Sequence, residues 1–207
     1  MLKKHLDKIL IISGLVLIAV AIGLRVYSKW QNDKMVAEFE EYVAELNNYQ
    51  VPSPQPDDII TEPSTEADEV PAPAIPDGIL GVLKIPKIDL NVNVCEGTDS
   101  ETLKYSVGHF TQTAQAGQKG NFALIGHRSY TFGQHFNRLD ELEAGDFVSI
   151  LTPDGEFTYQ ITEKEVVLPT EMSVLNPTDE ATITLITCTP MRSGTHRLIV
   201  RGVLLEN

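Results

Sequence analysis

The stretch ATITLITC, residues 181–188, is followed after a short loop by HRLIVRG, residues 196–202. Both segments are rich in β-branched and aliphatic residues, which is typical of strands buried on at least one face. The connecting loop, TPMRSGT, is short enough to make the two strands antiparallel neighbours. We therefore predict a hairpin in which Cys188, at the end of the first strand, lies opposite Arg197, at the start of the second.

Short apolar segments of the same kind recur through the chain from about residue 79 onward. They are ILGVLKIPKIDLNVNV with a break at Pro86, NFALIGH, FVSILTPDGEFTYQI with a turn at Asp154 and Gly155, and TEKEVVL. Two segments, TDSETLKYS and FNRLDEL, have the character of short helices. Many short strands and few helices over about 130 residues predict an all-β barrel or sandwich.

The N-terminal region has the pattern of a membrane anchor. An apolar run of 16 residues extends from Ile9 to Leu24, between Lys8 and Arg25. As a helix it is about 24 Å long, slightly short of the roughly 30 Å hydrocarbon core, and its flanking cations can snorkel. A cleaved signal peptide is the alternative, but its candidate cleavage site, at residues 19–21, lies inside the run. We therefore predict an uncleaved single-pass anchor, residues 1–30, with the N-terminus in the cytoplasm and the remainder outside.

Residues 31–78 are predicted to connect this anchor to the folded domain, residues 79–207. Residues 31–48 have apolar side chains at helical spacing and predict a short stalk helix. Residues 51–78 contain seven of the twelve prolines, with acidic residues between them, and predict an extended linker. We favour a spacer over a lid that folds across a groove, so a barrel beginning near Ile75 is expected to fold by itself.

The net charge of −13 is concentrated in this connecting region. Between Met35 and Leu83 there are eleven acidic residues and no Lys or Arg, and removing these eleven charges from the total leaves −2. The overall acidity argues against nucleic acid as a partner. It is a property of one segment and says little about the surface of the folded domain.

The chain has two cysteines, Cys95 and Cys188. Their number allows one disulfide, and nothing else in the sequence favours it. Cys95 lies within a predicted strand and is interpreted as a small core residue. A guanidinium opposite Cys188, by contrast, would favour the thiolate and could donate to a developing oxyanion. These features make Cys188 the candidate nucleophile.

A thiol nucleophile needs a proton acceptor and donor, which histidine commonly supplies. His127 ends an apolar strand, where a side chain can leave the core and face a cleft. His109 is the other candidate, and the residue patterns alone do not decide between the two. His135 and Asp140 are interpreted as surface residues.

Three segments together resemble the sortase family, the cysteine transpeptidases of Gram-positive surfaces. TLITC resembles the family's Thr-Leu-x-Thr-Cys strand, GNFALIGHR its Gly-Asn-x-x-x-x-Gly-His segment, and RLIV its Arg-x-x-Val strand. The resemblance continues through IPKIDLNVNVCEGTDSETLKYSVGH and FNRLDELEAGD and covers about 130 residues in order. It implies an eight-stranded β-barrel of the sortase type, with short helices, preceded by the transmembrane helix.

The resemblance also implies roles for particular residues. Cys188 would attack the carbonyl of a sorting signal and form a thioester, and His127 would protonate the departing amine. Arg197, selected over Arg201 because it begins the Arg-x-x-Val pattern, would hold the substrate and stabilise the oxyanion. Thr187 matches the threonine before the cysteine and is expected to line the substrate pocket.

The implied partners are surface proteins with a C-terminal Leu-Pro-x-Thr-Gly-like signal and an amine on a peptidoglycan precursor or a pilin. The segment after the cysteine resembles class C, the pilin-polymerising sortases, but their lid motif is absent. The N-terminal anchor and the segment around His127 resemble class D or E or a housekeeping enzyme, and a class D-like sortase is our prediction. The alternatives are a pilin polymerase, a hydrolytic cysteine peptidase of the same fold and a non-catalytic binding module.

No cofactor is predicted, since no metal-ligand spacing occurs in the sequence. Some sortases bind calcium through acidic residues near the groove, and Glu163 and Glu165 are the candidates here. Charged positions on a strand face usually contact solvent, and that is our interpretation of both.

Overall fold

The computed structural model of the protein describes residues 2–48, 78–128, 135–191 and 193–205, with side chains of the first helix from residue 8 onward. The predicted linker, residues 51–78, lies outside the described residues except for Gly78. Its interpretation as a spacer therefore stays a prediction.

Eight strands form a closed barrel in the order β1-β2-β3-β4-β7-β8-β6-β5. They are β1 Ile79–Ile85, β2 Leu90–Glu96, β3 Val107–His109, β4 Gly120–Ile125, β5 Phe147–Thr152, β6 Gly155–Val167, β7 Ala181–Thr189 and β8 His196–Leu204. The helices are α1 Leu2–Asn48 and the single turn α2 Thr102–Tyr105, with 3₁₀ turns at Pro86–Ile88, Leu139–Glu141 and Met172–Leu175. The predicted eight-stranded barrel is confirmed.

Two strands differ from the sequence prediction. TEKEVVL is not a separate strand but the second half of β6, which continues through a register shift between Ile161 and Glu163. The eighth strand is instead β3, a three-residue strand that pairs with β2 and β4. A segment this short carries too few residues for an alternating pattern to be recognised.

The barrel has two distinct ends. β4 and β7 are parallel neighbours and finish at the same end, where β2 and β8 begin. We call this the Cys188 end, because Cys188 lies in the last two residues of β7. The opposite end contains the first residues of β1, β4 and β7 and the β5–β6 turn.

Alternate residues of the strands fill the barrel, as their apolar pattern predicts. The interior cluster includes Leu83, Phe122, Ile150, Tyr159, Leu185 and Val200. A second cluster lies on the outside of β7 and β8, where Ile186 and Ile199 are covered by Val174 from the β6–β7 connection. That connection therefore borders the outer face on which Cys188 lies.

α1 is one continuous helix of 47 residues, although the sequence suggested an anchor and a separate stalk helix. It is the one helix among the described residues that is long and apolar enough to cross a membrane. The side chains of its apolar run are exposed. Its second half packs against the outside of the barrel, where Val36 and Phe39 contact Ile79 and Val82. The predicted stalk helix is thus attached to the barrel.

Candidate active site

The predicted contact across the last hairpin is present. β7 and β8 are antiparallel, and Cys188 is paired with Arg197. Both side chains are half-buried, and they share strand parity with Ile186 and Ile199, which face the outer cluster. Cys188 and Arg197 therefore lie on the outer face of the sheet, at the mouth of the hairpin.

The pairing of β4 with β7 brings His127 to the same place. Ile125 of β4 is paired with Ile186 of β7, and the amide of Gly126 donates to the carbonyl of Ile186 at 3.1 Å. His127 and Cys188 each follow this pair by two residues, so they occupy neighbouring strand ends. His127 is exposed, as access to a substrate requires.

Thr187 lies on the opposite side of its strand from Cys188. Its side chain is fully buried, and its hydroxyl donates to the carbonyl of Gly126 at 2.8 Å. This bond connects the residue before Cys188 to the residue before His127. The structure thus gives Thr187 a positioning contact, and the expected contact with substrate stays a prediction.

The loop of the last hairpin holds the Arg197 guanidinium. Its Nη1 donates to the carbonyls of Gly194 and His196, both at 3.0 Å. Gly194 has a φ of 58°, and a Cβ there would lie 3.9 Å from the sulfur of Cys188. The sequence analysis did not identify Gly194, although a Ser-Gly pair in a tight loop is a signal for positive φ.

Arg128, the residue after His127, is a second residue of the site, after Gly194, that was not identified from the sequence. Its side chain is 8% exposed, and it forms an ion pair with Asp140 at 2.9 Å. Its Nη1 also donates to the hydroxyl of Thr189, the residue after Cys188, at 2.8 Å. Arg128 and Thr187 therefore both tie the end of β4 to the end of β7. Asp140, predicted as a surface residue, is half exposed but belongs to this network.

His135 was also predicted as a surface residue, but this prediction is wrong, because the side chain is largely buried and packs beside His127. Its ring meets the ring of His127 edge-on, with 6.1 Å between the centroids. Burial, together with the neighbouring His127, lowers the pKa of His135 below its ordinary value. The protonated form of His135 is thus disfavoured.

The other candidate residues, Cys95 and His109, are placed less suitably for catalysis. Both cysteines are free thiols, and burial raises the pKa of Cys95, which disfavours its thiolate. His109 is fully buried, with its Nδ1 at 3.1 Å from the Glu96 carboxylate and its Nε2 at 3.1 Å from a carbonyl. His127 and Cys188 are therefore the pair on an accessible surface.

The two candidate calcium ligands are held by an arginine. Nη1 of Arg201 lies 2.7 Å from carboxylate oxygens of both Glu163 and Glu165. Within residues 8–48, 78–128, 135–191 and 193–205 no cluster of His, Cys, Asp or Glu has the arrangement of a metal site. One of the two negative charges of this pair is thus balanced by Arg201.

An apolar surface borders the site on the β6 side. Val167, which is paired with Arg197, packs against the outer cluster, and Met172 of the connection that covers this cluster is 62% exposed. An apolar patch at the border of a site commonly marks a binding surface.

Comparisons with known proteins are consistent with this geometry. The sortase domain family model matches residues 83–205. Sortase SrtE1 of Streptomyces coelicolor is 36% identical over 141 residues, which cover 60% of this chain and 40% of the relative. Sortase D of Bacillus subtilis is 36% identical over 111 residues, covering 53% and 54%. The match thus spans about half the length of these curated relatives or less.

Solved structures give the same fold. A sortase D5 transpeptidase of Clostridium perfringens superimposes with a TM-score of 0.62 at 28% identity, covering 84% of this chain and 98% of the other. Sortase C1 of Streptococcus agalactiae superimposes with a TM-score of 0.60 at 32% identity, covering 63% and 69%.

Proposed function

Because the chain belongs to the sortase family, we propose that it is a membrane-anchored cysteine transpeptidase that joins surface proteins to an amine of the cell wall. The observation that carries the proposal is the meeting of Cys188, Arg197 and the His127 strand end on one accessible face. A thiol, a guanidinium and an imidazole are the groups that acyl transfer through a thioester requires.

The proposed reaction has two acyl-transfer steps. In the first, the sulfur of Cys188 attacks the carbonyl carbon between Thr and Gly of a Leu-Pro-x-Thr-Gly-like signal. The C–N bond then breaks, His127 gives its proton to the departing amine, and a thioester remains. In the second, an incoming amine attacks the thioester, His127 accepts its proton, and Cys188 leaves as the thiolate as the new amide forms, which restores the starting protonation of both residues.

Arg197 is proposed to stabilise the oxyanion in both steps. The loop carbonyls of Gly194 and His196 hold its Nη1 and thereby fix the plane of the guanidinium. We assign Nη2 and Nε to the substrate, because a preoriented donor needs little rearrangement as charge develops. The outer cluster, bordered by Val167 and the exposed Met172 of the β6–β7 connection, is suited to the Leu-Pro part of the signal.

The membrane anchor in this proposal is the apolar half of α1. A cytoplasmic N-terminus would place the barrel outside the cell, where its protein substrates are displayed. The acceptor is proposed to be an amine of a peptidoglycan precursor, with a pilin lysine as the alternative. A class D-like enzyme remains our assignment, and a pilin polymerase and a hydrolytic peptidase remain alternatives.

The test is to trap the acyl-enzyme with a Leu-Pro-x-Thr-Gly peptide and locate the adduct by mass spectrometry. We expect it on Cys188 in the wild-type protein and in Cys95→Ala, and no adduct in Cys188→Ala. An adduct on Cys95, or an unchanged adduct in Cys188→Ala, would overturn the proposed nucleophile. Intact fold in each variant is checked by circular dichroism.

Product analysis separates transfer from hydrolysis, since water can resolve the same thioester. With an added amine, we expect the amide product to replace the free acid. If the acid remains the sole product over a range of amines, the hydrolytic peptidase is the better assignment.

A further inference from the structure

The way α1 packs on the barrel determines which end of the barrel is nearer its apolar half. Asn32 donates to the carbonyl of Asn91, at the start of β2, at 2.9 Å. Further along the helix, Val43 belongs to the cluster that contains Ile79, at the start of β1, and Cys95 packs against that cluster. Since β2 begins at the Cys188 end, that end is the one nearer the apolar run.

The helical rise gives the distance between the apolar run and the barrel. From Leu24 to Asn32 the rise of about 1.5 Å per residue amounts to about 12 Å. The polar layer on each side of a bilayer is roughly 5–8 Å thick. Arg25 and Lys29 therefore lie among lipid headgroups, and the start of β2 lies a few ångströms beyond them.

A cavity of about 450 Å³ lies at this level, between α1 and the barrel. α1 contributes Arg25 and Lys29, and the barrel side contributes Lys104 from α2. Two carboxylates, Asp33 and Asp89, also line it, and Lys29 is paired with Asp33 at 3.2 Å. The lining thus combines cations on two different elements with hydrogen-bond acceptors.

We propose that this cavity binds the phosphate and headgroup of an anionic membrane lipid. The cations Arg25 and Lys104 are suited to the phosphate, because charge-assisted hydrogen bonds to phosphate are the strong ones. The carboxylates of Asp33 and Asp89 are suited to hydroxyl groups, which a glycerol headgroup carries. Val26, exposed on α1 and lining the same cavity, continues toward the acyl chains. The proposal rests on the proposed membrane anchoring by α1.

The cavity also reaches the candidate active site. His135 lines it and contacts the ring of His127 edge-on. A lipid held there would be separated from the proposed proton donor by one side chain. Lipid occupancy would thus fix the Cys188 end of the barrel close to the membrane surface.

The experiment is native mass spectrometry of the full chain in detergent, with added lipid. The probes are phosphatidylglycerol and, as the zwitterionic control, phosphatidylcholine; inorganic phosphate is a separate arm. We expect wild type to retain phosphatidylglycerol in preference to phosphatidylcholine. Lys104→Gln is expected to reduce this retention about fivefold, the effect of one cation at an anionic membrane surface.

Lys119→Gln is the matched control, because Lys119 is an exposed lysine next to the first residue of β4, at the other end of the barrel. It should retain phosphatidylglycerol as wild type does. Equal retention by wild type and Lys104→Gln, or equal retention of the two lipids by wild type, would overturn the proposal. Displacement of phosphatidylglycerol by millimolar inorganic phosphate would also overturn it, because a free anion would then be the ligand.

The readout does not depend on catalysis, so it can be repeated in Cys188→Ala. Wild-type protein that retains the lipid but transfers no acyl group would contradict the proposed function alone. Wild-type protein that transfers acyl groups normally but shows no lipid selectivity would contradict this inference alone.

Discussion

At the scale of single residues, the site depends on contacts made by the neighbours of the reactive groups. Two contacts connect the end of β4 to the end of β7. Thr187 binds the residue before His127, and Arg128 binds the residue after Cys188. The reactive residues are therefore held through the residues before and after them, which face the other way along each strand.

Replacement of Thr187 distinguishes a positioning role from a substrate contact. Thr187→Val keeps the shape of the side chain but leaves the buried carbonyl of Gly126 without its hydroxyl donor, which costs about 1–3 kcal/mol. We expect a lower free energy of unfolding and a lower kcat with little change in KM, and recovery of both in Thr187→Ser. A raised KM at unchanged stability would instead indicate contact with the substrate.

Replacement of His127 tests its role in proton transfer. We expect His127→Ala to reduce kcat/KM by about 10²–10⁴-fold, the range typical of general acid–base catalysis. His135→Gln is the neighbouring control and should retain most activity, because burial lowers the pKa of His135 and so disfavours the protonated form that a proton donor needs. Similar losses in the two variants, measured with the same peptide and amine, would argue against His127 as the proton donor.

At the scale of elements, the association of α1 with the barrel is the feature with the largest structural consequence. Phe39 is fully buried in this interface, although it belongs to a segment predicted as a stalk helix with no contact to the barrel foreseen. Lys84 of β1 also forms an ion pair with Glu40 at 2.8 Å. A barrel beginning near Ile75 would lack these contacts and expose Ile79 and Val82, so we now expect it to be less stable than the longer protein.

The contribution of α1 can be measured by truncating one side chain. Phe39→Ala is expected to lower the free energy of unfolding by about 3–5 kcal/mol, as for other buried aromatic residues. Phe147→Ala is the matched control, because Phe147 is 50% exposed and the same change there removes little buried surface. Chemical denaturation of both variants compares them directly, and equal effects would mean that the helix contributes little to stability.

The same interface contains a polar side chain without a partner. Asn93 is fully buried, and among the described residues neither side-chain atom of its amide has a hydrogen-bond partner. Because burial of an unpaired polar group is unfavourable, Asn93→Val should raise the free energy of unfolding by about 1–3 kcal/mol. A destabilised variant would show that the amide is satisfied in solution.

At the scale of the whole molecule, one helix both crosses the membrane and fixes the orientation of the barrel in our proposal. The Cys188 end then faces the bilayer and the β5–β6 turn faces away. A flexible tether would instead allow all orientations. The distinction matters for the proposed function, because a fixed orientation would hold the candidate site close to the membrane surface.

Fluorophore depth tests this orientation in vesicles that contain the full chain. A label at Lys104→Cys, in a background without the native cysteines, should be quenched strongly by headgroup-attached quenchers. A label at Asp154→Cys, exposed in the β5–β6 turn, should be quenched weakly. Equal quenching at the two positions would indicate that the barrel tumbles on its anchor.

Local patterns in the chain were sufficient to predict much of this protein. The apolar run of the anchor, most of the strands and the pairing of Cys188 with Arg197 all follow from features within a few residues. Alternation, turn residues and loop length act over short distances along the chain, so they can be recognised without knowing the fold. The choice of His127 over His109, in contrast, needed the family resemblance.

Other features depended on segments that are distant in sequence. The parallel pairing of β4 with β7 aligns His127 with Cys188 across 61 residues, and the Thr187 hydroxyl bond spans the same separation. The apolar face of residues 36–43 could be recognised in the sequence, but its packing on β1 could not be predicted. No sequence pattern indicated the contact between His135 and His127. Amphipathic patterns show that a surface is buried without identifying what covers it, because the partner is determined by how the whole chain folds.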